Sequence, residues 1–297
     1  MEELKECPIC SSAQFELFIS CKDNTASEDR FSIVKCKSCD FKFTNPRPSA
    51  TEIGKYYDSP EYVSHSNTSK GIINGLYQSV RKYTIGKKVE MVTSLLKGTQ
   101  KNLLDIGCGT GEFLNACKLS GWSVAGIEPG EGARKFANEQ YQLNVGEESI
   151  LSSLPSNNFS IITMWHVLEH VHELKARVKE LKRLLADNGT ILIAVPNCNS
   201  KDALKYKEFW AAYDVPRHLY HFGQKNIREL FAQEQMTVIK VMPMVFDSFY
   251  VSMLSEKYKK GASMMNYANG FLSGFSSNSN AKKTGEYSSL IYIIQKA

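Results

Sequence analysis

Two sets of residues in this chain stand at spacings that chemistry can use. Cys7-Pro8-Ile9-Cys10 and Cys36-Lys37-Ser38-Cys39 are two C-x₂-C turns. Each turn brings two thiolates to one edge of a tetrahedron, and two turns complete a four-thiolate shell suited to zinc. A closed shell leaves no open position, so the expected ion is structural. A redox pair is the competing reading, and the presence of two pairs speaks against it. The second set is Asp105-Ile106-Gly107-Cys108-Gly109-Thr110-Gly111, between a short apolar run and a helical pattern. Alternate glycines lack Cβ and let backbone approach a ligand closely, and the helix start adds free N–H groups and a positive dipole end. Further on, Glu128 closes the run Val124–Ile127. A carboxylate there can accept both hydroxyl hydrogens of a ribose; its plainer role is to cap a strand end.

The elements that must position these residues follow from hydrophobic periodicity. Residues 1–48 form a cysteine-bounded unit stopped by Asn45-Pro46-Arg47-Pro48, residues 49–97 are helical, and residues 98–297 alternate strands with helices. Expected strands are Asn102–Ile106, Ser123–Ile127, Tyr141–Val145, Phe159–Met164, Thr190–Val195, Thr237–Met242 and Ser289–Gln295. Helices follow at 111–119, 130–139, 174–185 and 226–235, with a turn at Asp187-Asn188-Gly189. This alternation implies an α/β, Rossmann-like fold with a seven-stranded, mostly parallel sheet and a small N-terminal zinc-ribbon module. The Ser/Asn/Gly-rich stretch Gly270–Gly285 reads as a mobile connection.

Composition narrows the function. With 42% hydrophobic and 23% charged residues, the chain has the makeup of a soluble globular protein. The net charge of +5 rests on scattered lysines without an arginine stripe, which argues against a nucleic-acid surface. No apolar run is long enough to span a bilayer, and MEELKECPIC lacks the basic start of a secretory signal. A cytoplasmic location, where cysteines remain reduced, is the expectation. Oligomeric state is not legible.

The D-x-G-x-G-x-G order, with its third glycine one residue earlier than in a dinucleotide loop, resembles the class I S-adenosylmethionine-dependent methyltransferases across residues 100–297. Ile161-Ile162-Thr163-Met164-Trp165-His166-Val167-Leu168-Glu169-His170-Val171 is similar to a stretch in methyltransferases of the ubiquinone-biosynthesis kind. The resemblance implies S-adenosylmethionine as cofactor, with Asp105 near its amino-acid portion, Gly107 and Gly109 beneath it, and Pro129 beside the adenine. Cys108 and Gly111 complete that loop, and Met164, Trp165 and His166 would face the methionine end. Cysteine knuckles joined to this domain further resemble bacterial sugar methyltransferases, including those that methylate carbon on nucleotide sugars.

That second resemblance implies a small-molecule acceptor and a base in the loop Tyr213-Asp214-Val215-Pro216-Arg217-His218-Leu219-Tyr220-His221. His218 matches the histidine of the sugar enzymes, although Arg217 stands where they carry glutamate, which weakens transfer of carbon methylation. Histidine suits proton removal because it titrates near neutrality, and the order of expectation is His218, His221, His170. Arg217 could hold a phosphate or carboxylate, with Tyr220 beside it; an ion pair is the plainer reading. Tyr62 in Ser59-Pro60-Glu61-Tyr62 resembles a tyrosine that approaches donor or acceptor, whereas Tyr56 and Tyr57 read as helix packing. The competing functions are an NAD-dependent oxidoreductase or epimerase and a zinc-ribbon nucleic-acid-binding protein.

Overall fold

The computed structural model describes residues 1–57 and 72–297, with residues 72–81 as backbone only. The chain opens with an antiparallel hairpin, β1 (Phe15–Lys22) and β2 (Arg30–Cys36), followed by β3 (Lys42–Thr44). Phe31, Ile33 and Cys36 turn inward from β2, and period-two alternation makes this segment a strand. A helical turn at Ile53–Tyr56 and the helix α1 (Ile72–Ser94) lead to the central domain.

That domain runs β4 (Asn102–Ile106), α2 (Glu112–Leu119), β5 (Ser123–Ile127), α3 (Glu131–Tyr141), β6 (Val145–Gly146), β7 (Phe159–Trp165) and α4 (Leu174–Leu184). It continues through β8 (Leu185–Pro196), α5 (Lys201–Tyr206), β9 (Tyr220–His221), α6 (Gln224–Ala232) and β10 (Met236–Pro243). A hairpin of α7 (Asp247–Lys260) and α8 (Met264–Thr284) precedes β11 (Ser289–Lys296). Seven strands form one sheet in the order β10-β11-β8-β7-β4-β5-β6. The five from β8 to β6 are parallel, and β11 enters antiparallel to both neighbours. Leu103, Leu104, Ile161, Ile162 and Ile191–Val195 are fully buried, as expected for parallel strands covered on both faces. Strand order reverses at β4, so a crevice opens beyond the carboxyl ends of β4, β5 and β7.

Several sequence expectations change in detail. The stretch Gly270–Gly285 is not a mobile connection but most of α8. Its Gly270, Ser273, Gly274, Ser277 and Ala281 are buried at helical spacing. A Cβ on Gly270 would lie 2.5 Å from Met253 Cα, and one on Gly274 would lie 2.7 Å from Phe249 Cα. Small residues here allow two backbones to pack closely. The expected turn at Asp187–Gly189 is a bulge inside β8, between the pairs Phe159–Leu185 and Ile161–Thr190. The third strand shortens to Val145–Gly146 because Tyr141 still belongs to α3.

The N-terminal sheet does not close on itself. Its fourth strand is β9, which pairs Lys42 with His221 and Phe43 with Tyr220. Cys7, Cys36, Phe41 and Phe43 share one buried cluster with Ile106, Ile162 and Phe222. No helix among the described residues is long and apolar enough to cross a membrane.

Candidate active site

The bend after β4 is shaped by three glycines at positive φ, Gly107 (+72°), Gly109 (+55°) and Gly111 (+82°). A Cβ on Gly107 would strike Val167 at 2.4 Å, and one on Gly111 would lie 2.7 Å from the Leu143 side chain. These two glycines serve packing. Gly109 differs, because a Cβ there would meet nothing within 4 Å. The loop is held to β5 by Gly107 N–H and Cys108 N–H, which donate to Ile127 O at 2.7 and 3.1 Å. Glu128 closes the far wall: its carboxylate accepts Gly109 N–H at 2.8 Å and Gly130 N–H at 2.9 Å. A carboxylate has about four lone-pair positions, so capacity remains for two hydroxyls. Pro129 follows, its carbonyl accepting from Arg134. Asp105 is fully buried below the bend and accepts from Thr163 Oγ1 at 2.6 Å. Burial lifts its pKa to about 7, against the Thr163 hydrogen bond and the charge of Lys88. Lys88 reaches down from α1, its Nζ 4.1 Å from the centre of the Trp165 ring, and the buried Trp165 Nε1 has no hydrogen-bond partner among the described residues. Met164 is buried in the sheet, so its side chain is closed off from the crevice.

Across the crevice, His166 takes a positive φ of 57° at the end of β7. Its ring lies 3.0 Å from Asp247 on α7 and 3.4 Å from Glu169. Burial opposes its charge, but the two carboxylates outweigh burial and raise its pKa to about 10. The next turn carries Glu169 and His170. His170 faces His218 edge-on, with ring centroids 4.7 Å apart. Burial first, then the neighbouring His218, push His170 down to about 4, so it is neutral. Tyr57 Oη stands 2.9 Å from His170 Nδ1. His221 points elsewhere, its Nε2–H donating to Thr44 Oγ1 at 3.2 Å under the Tyr213 ring.

The loop before His218 is pinned by Arg217. Its guanidinium is 1% exposed and donates to Asp214, Asp23, Thr25 and the Tyr56 carbonyl. Tyr220 is likewise engaged, donating to His172 O at 2.8 Å and accepting from Arg47 at 2.8 Å. In the N-terminal unit, Cys7 Sγ lies 3.6 Å from Cys39 Sγ and Cys10 Sγ 3.5 Å from Cys36 Sγ. All four sulfurs lie within 4.8 Å of one another. Four ligands at a zinc–sulfur distance of about 2.3 Å would stand about 3.8 Å apart, so the cluster fits a tetrahedral ion.

A family profile described as a methyltransferase domain matches residues 77–241, more than half of the chain. The chain belongs to this family. Among curated relatives, the ubiquinone biosynthesis O-methyltransferase of Histophilus somni is 34% identical over 110 residues, covering 33% of this chain and 46% of that protein. The chain thus spans about half the length of the curated relatives it matches. Among solved structures, a SAM-dependent methyltransferase from Archaeoglobus fulgidus is 20% identical with a TM-score of 0.50, over 73% of this chain and 94% of that one. A candidate sarcosine dimethylglycine methyltransferase from Galdieria sulphuraria is 14% identical with a TM-score of 0.51, over 74% and 86%. The fold is that of the class I S-adenosylmethionine-dependent methyltransferases, and the crevice described above lies in it.

In this chain the structure brings Asp105, Gly107, Cys108, Gly109, Gly111, Glu128, Pro129 and Trp165 together on one side, and His166, His170 and His218 on the other. It does not bring His221, Tyr220 or Arg217 there as free groups: each has its polar atoms committed to the N-terminal unit or its own loop. Tyr62 lies outside the described residues. Sequence reasoning passed over Lys88, Glu169, Asp214 and Asp247, and assigned Tyr57 to helix packing although it reaches His170. Glu169 and Asp214 left a trace, each lying in a stretch already singled out.

Proposed function

We propose that this methyltransferase binds S-adenosylmethionine on the Gly107–Gly111 bend and directs its methyl group to a hydroxyl of a polar small molecule in the cytoplasm, a sugar or nucleotide sugar being the acceptor favoured by sequence resemblance. When bound, the cofactor supplies a methyl already activated by a sulfonium. The chain's own residues then do four things. Glu128 accepts the ribose hydroxyls, and Gly109 leaves the space in which the nucleoside lies. Asp105 and Lys88 flank the amino-acid portion with opposite charges. The neutral His170 and its partner His218 line the acceptor side, where His218 would hold the proton that the hydroxyl releases. Alignment of acceptor and sulfonium supplies much of the remaining barrier reduction. The curated relatives are named as O-methyltransferases, which supports oxygen over carbon. The four N-terminal cysteines would hold a zinc ion whose closed shell staples β1–β3.

The observation that carries this reading is the open space over Gly109 beside an acid that already holds the loop. Calorimetric titration of the protein with S-adenosylhomocysteine and, separately, NAD tests it. S-adenosylhomocysteine should bind in the micromolar range and Glu128→Ala should weaken it at least about tenfold, as loss of hydrogen bonds to a charged group does. Binding of NAD in its place would overturn the assignment.

A further inference from the structure

The unexplained group on the acceptor side is Glu169. It is 0% exposed, and among the described residues neither carboxylate oxygen receives a hydrogen bond of ordinary geometry. Its closest cation, His166 Nδ1, remains at 3.4 Å from Oε1. Leaving a carboxylate buried in this way is costly unless something cationic completes it. Two histidines face the same point. One ligand atom from each of Glu169, His170 and His218 lies within 4.8 Å of the other two.

The hydrogen bonds of these histidines point the same way. His218 Nδ1 is 2.9 Å from Ala212 O, and His170 Nδ1 is 3.0 Å from Arg217 O. A carbonyl can only accept, so a hydrogen on each Nδ1 satisfies both contacts, with Tyr57 Oη accepting from His170 as well at 2.9 Å; each Nε2 is then left with a lone pair. A backbone carbonyl that fixes the tautomer from behind is the usual outer partner of a metal-bound histidine.

We infer that Glu169, His170 and His218 form a site for one divalent first-row transition ion, separate from the cysteine cluster, with its open positions facing the acceptor. Two imidazoles and one carboxylate suit manganese, iron, cobalt or zinc. Three protein ligands leave positions free, which a pair of neighbouring acceptor oxygens, as in a diol or an ortho-dihydroxy ring, would fill. A bound cation also makes the acceptor hydroxyl more acidic. The inference rests on the reading above and replaces one part of it: with the ion bound, His218 is a ligand, and the cation in its place favours the ionised hydroxyl.

Manganese is the probe, because thiolate sites disfavour it and the four cysteines will not compete. The full chain, purified with its zinc, is titrated with Mn²⁺, and the free-ion resonance is followed by electron paramagnetic resonance. About one Mn²⁺ per chain is expected. Glu169→Gln and His218→Gln should each weaken it by more than about 100-fold, beyond the 10–100-fold that loss of an outer partner produces. S-adenosylhomocysteine titration of the same samples reports whether each variant is folded. No Mn²⁺ bound to the unmodified protein, or equal binding by both folded variants, overturns the site. Mn²⁺ bound without any affinity for S-adenosylhomocysteine would leave the site standing and remove the cofactor reading instead.

Discussion

The two walls of the proposed site, one for the cofactor and one for the acceptor, are built on different plans. The cofactor wall comes from one strand-turn-helix and the next strand end, residues 105–111 and 126–130, and its working contacts are mostly backbone: Gly107 and Cys108 to Ile127 O, Gly109 to Glu128. The acceptor wall gathers Asp23, Tyr57, Glu169 with His170, and Asp214 through His218 from four distant stretches, and side chains hold it together. A shared cofactor can be served by local geometry that any chain of the family reproduces. An acceptor that differs between relatives is met by long-range side-chain contacts, which can change without disturbing the sheet.

The sharpest way to break this contrast is Arg217→Met. Losing the guanidinium leaves Asp214 and Asp23 without their shared counter-charge, and broken buried pairs typically cost about 3–5 kcal/mol. Thermal melting should report a loss of that order while S-adenosylhomocysteine affinity in the folded protein stays within about twofold. A parallel collapse of cofactor binding would mean that the walls are not independent.

Gly109→Val probes the opposite side. A non-glycine residue at φ +55° costs about 1–2 kcal/mol, and the branched side chain occupies the space over the loop. Cofactor affinity measured by calorimetry should therefore fall more than tenfold, far more than the melting temperature suggests. Manganese binding should not change. Equal losses in both would show that Gly109 serves packing, as Gly107 and Gly111 do.

The smallest effect is a pH dependence. Asp105 sits at about 7 instead of the usual 3.8 because burial disfavours its charge. With the folded pKa raised, its protonated form favours folding below about pH 4, and that contribution disappears as pH rises through 7. A bound ammonium stabilises the ionised form, so S-adenosylhomocysteine should bind several-fold more tightly at pH 8 than at pH 6. Asp105→Asn should flatten the profile. A profile that persists in the variant would assign the titration to another group.

These contrasts also explain what the sequence made legible. Asp105, Gly107 and Gly109 stand out in the sequence because the bend they make fixes their spacing, Glu128 because it closes the next strand, and Cys7, Cys10, Cys36 and Cys39 because each pair spans one turn. α8 escaped because composition was weighed over period: Gly270, Ser273, Gly274, Ser277 and Ala281 resemble loop residues, yet they fall at i, i+3, i+4, i+7 and i+11, one face of a helix. The large side chains point outward instead, with Phe271, Leu272 and Phe275 all more than half exposed. Tyr57 and Asp23 could not have been placed at the acceptor wall, because no local rule says that they meet His170 and Arg217 across the fold. Arg217 was visible as a charge, but its burial is a tertiary fact.

The strand β9 carries a consequence for assembly. Thr44 Oγ1 donates to His218 O at 2.8 Å across 174 positions of chain. A partnership between ends so far apart closes late, since the entropy of bringing them together must be offset by structure already formed. The outer edge of β3 is therefore completed only when residues 220–221 pair with it. The histidines then take up their final arrangement against a template that stands well over a hundred residues earlier in the chain.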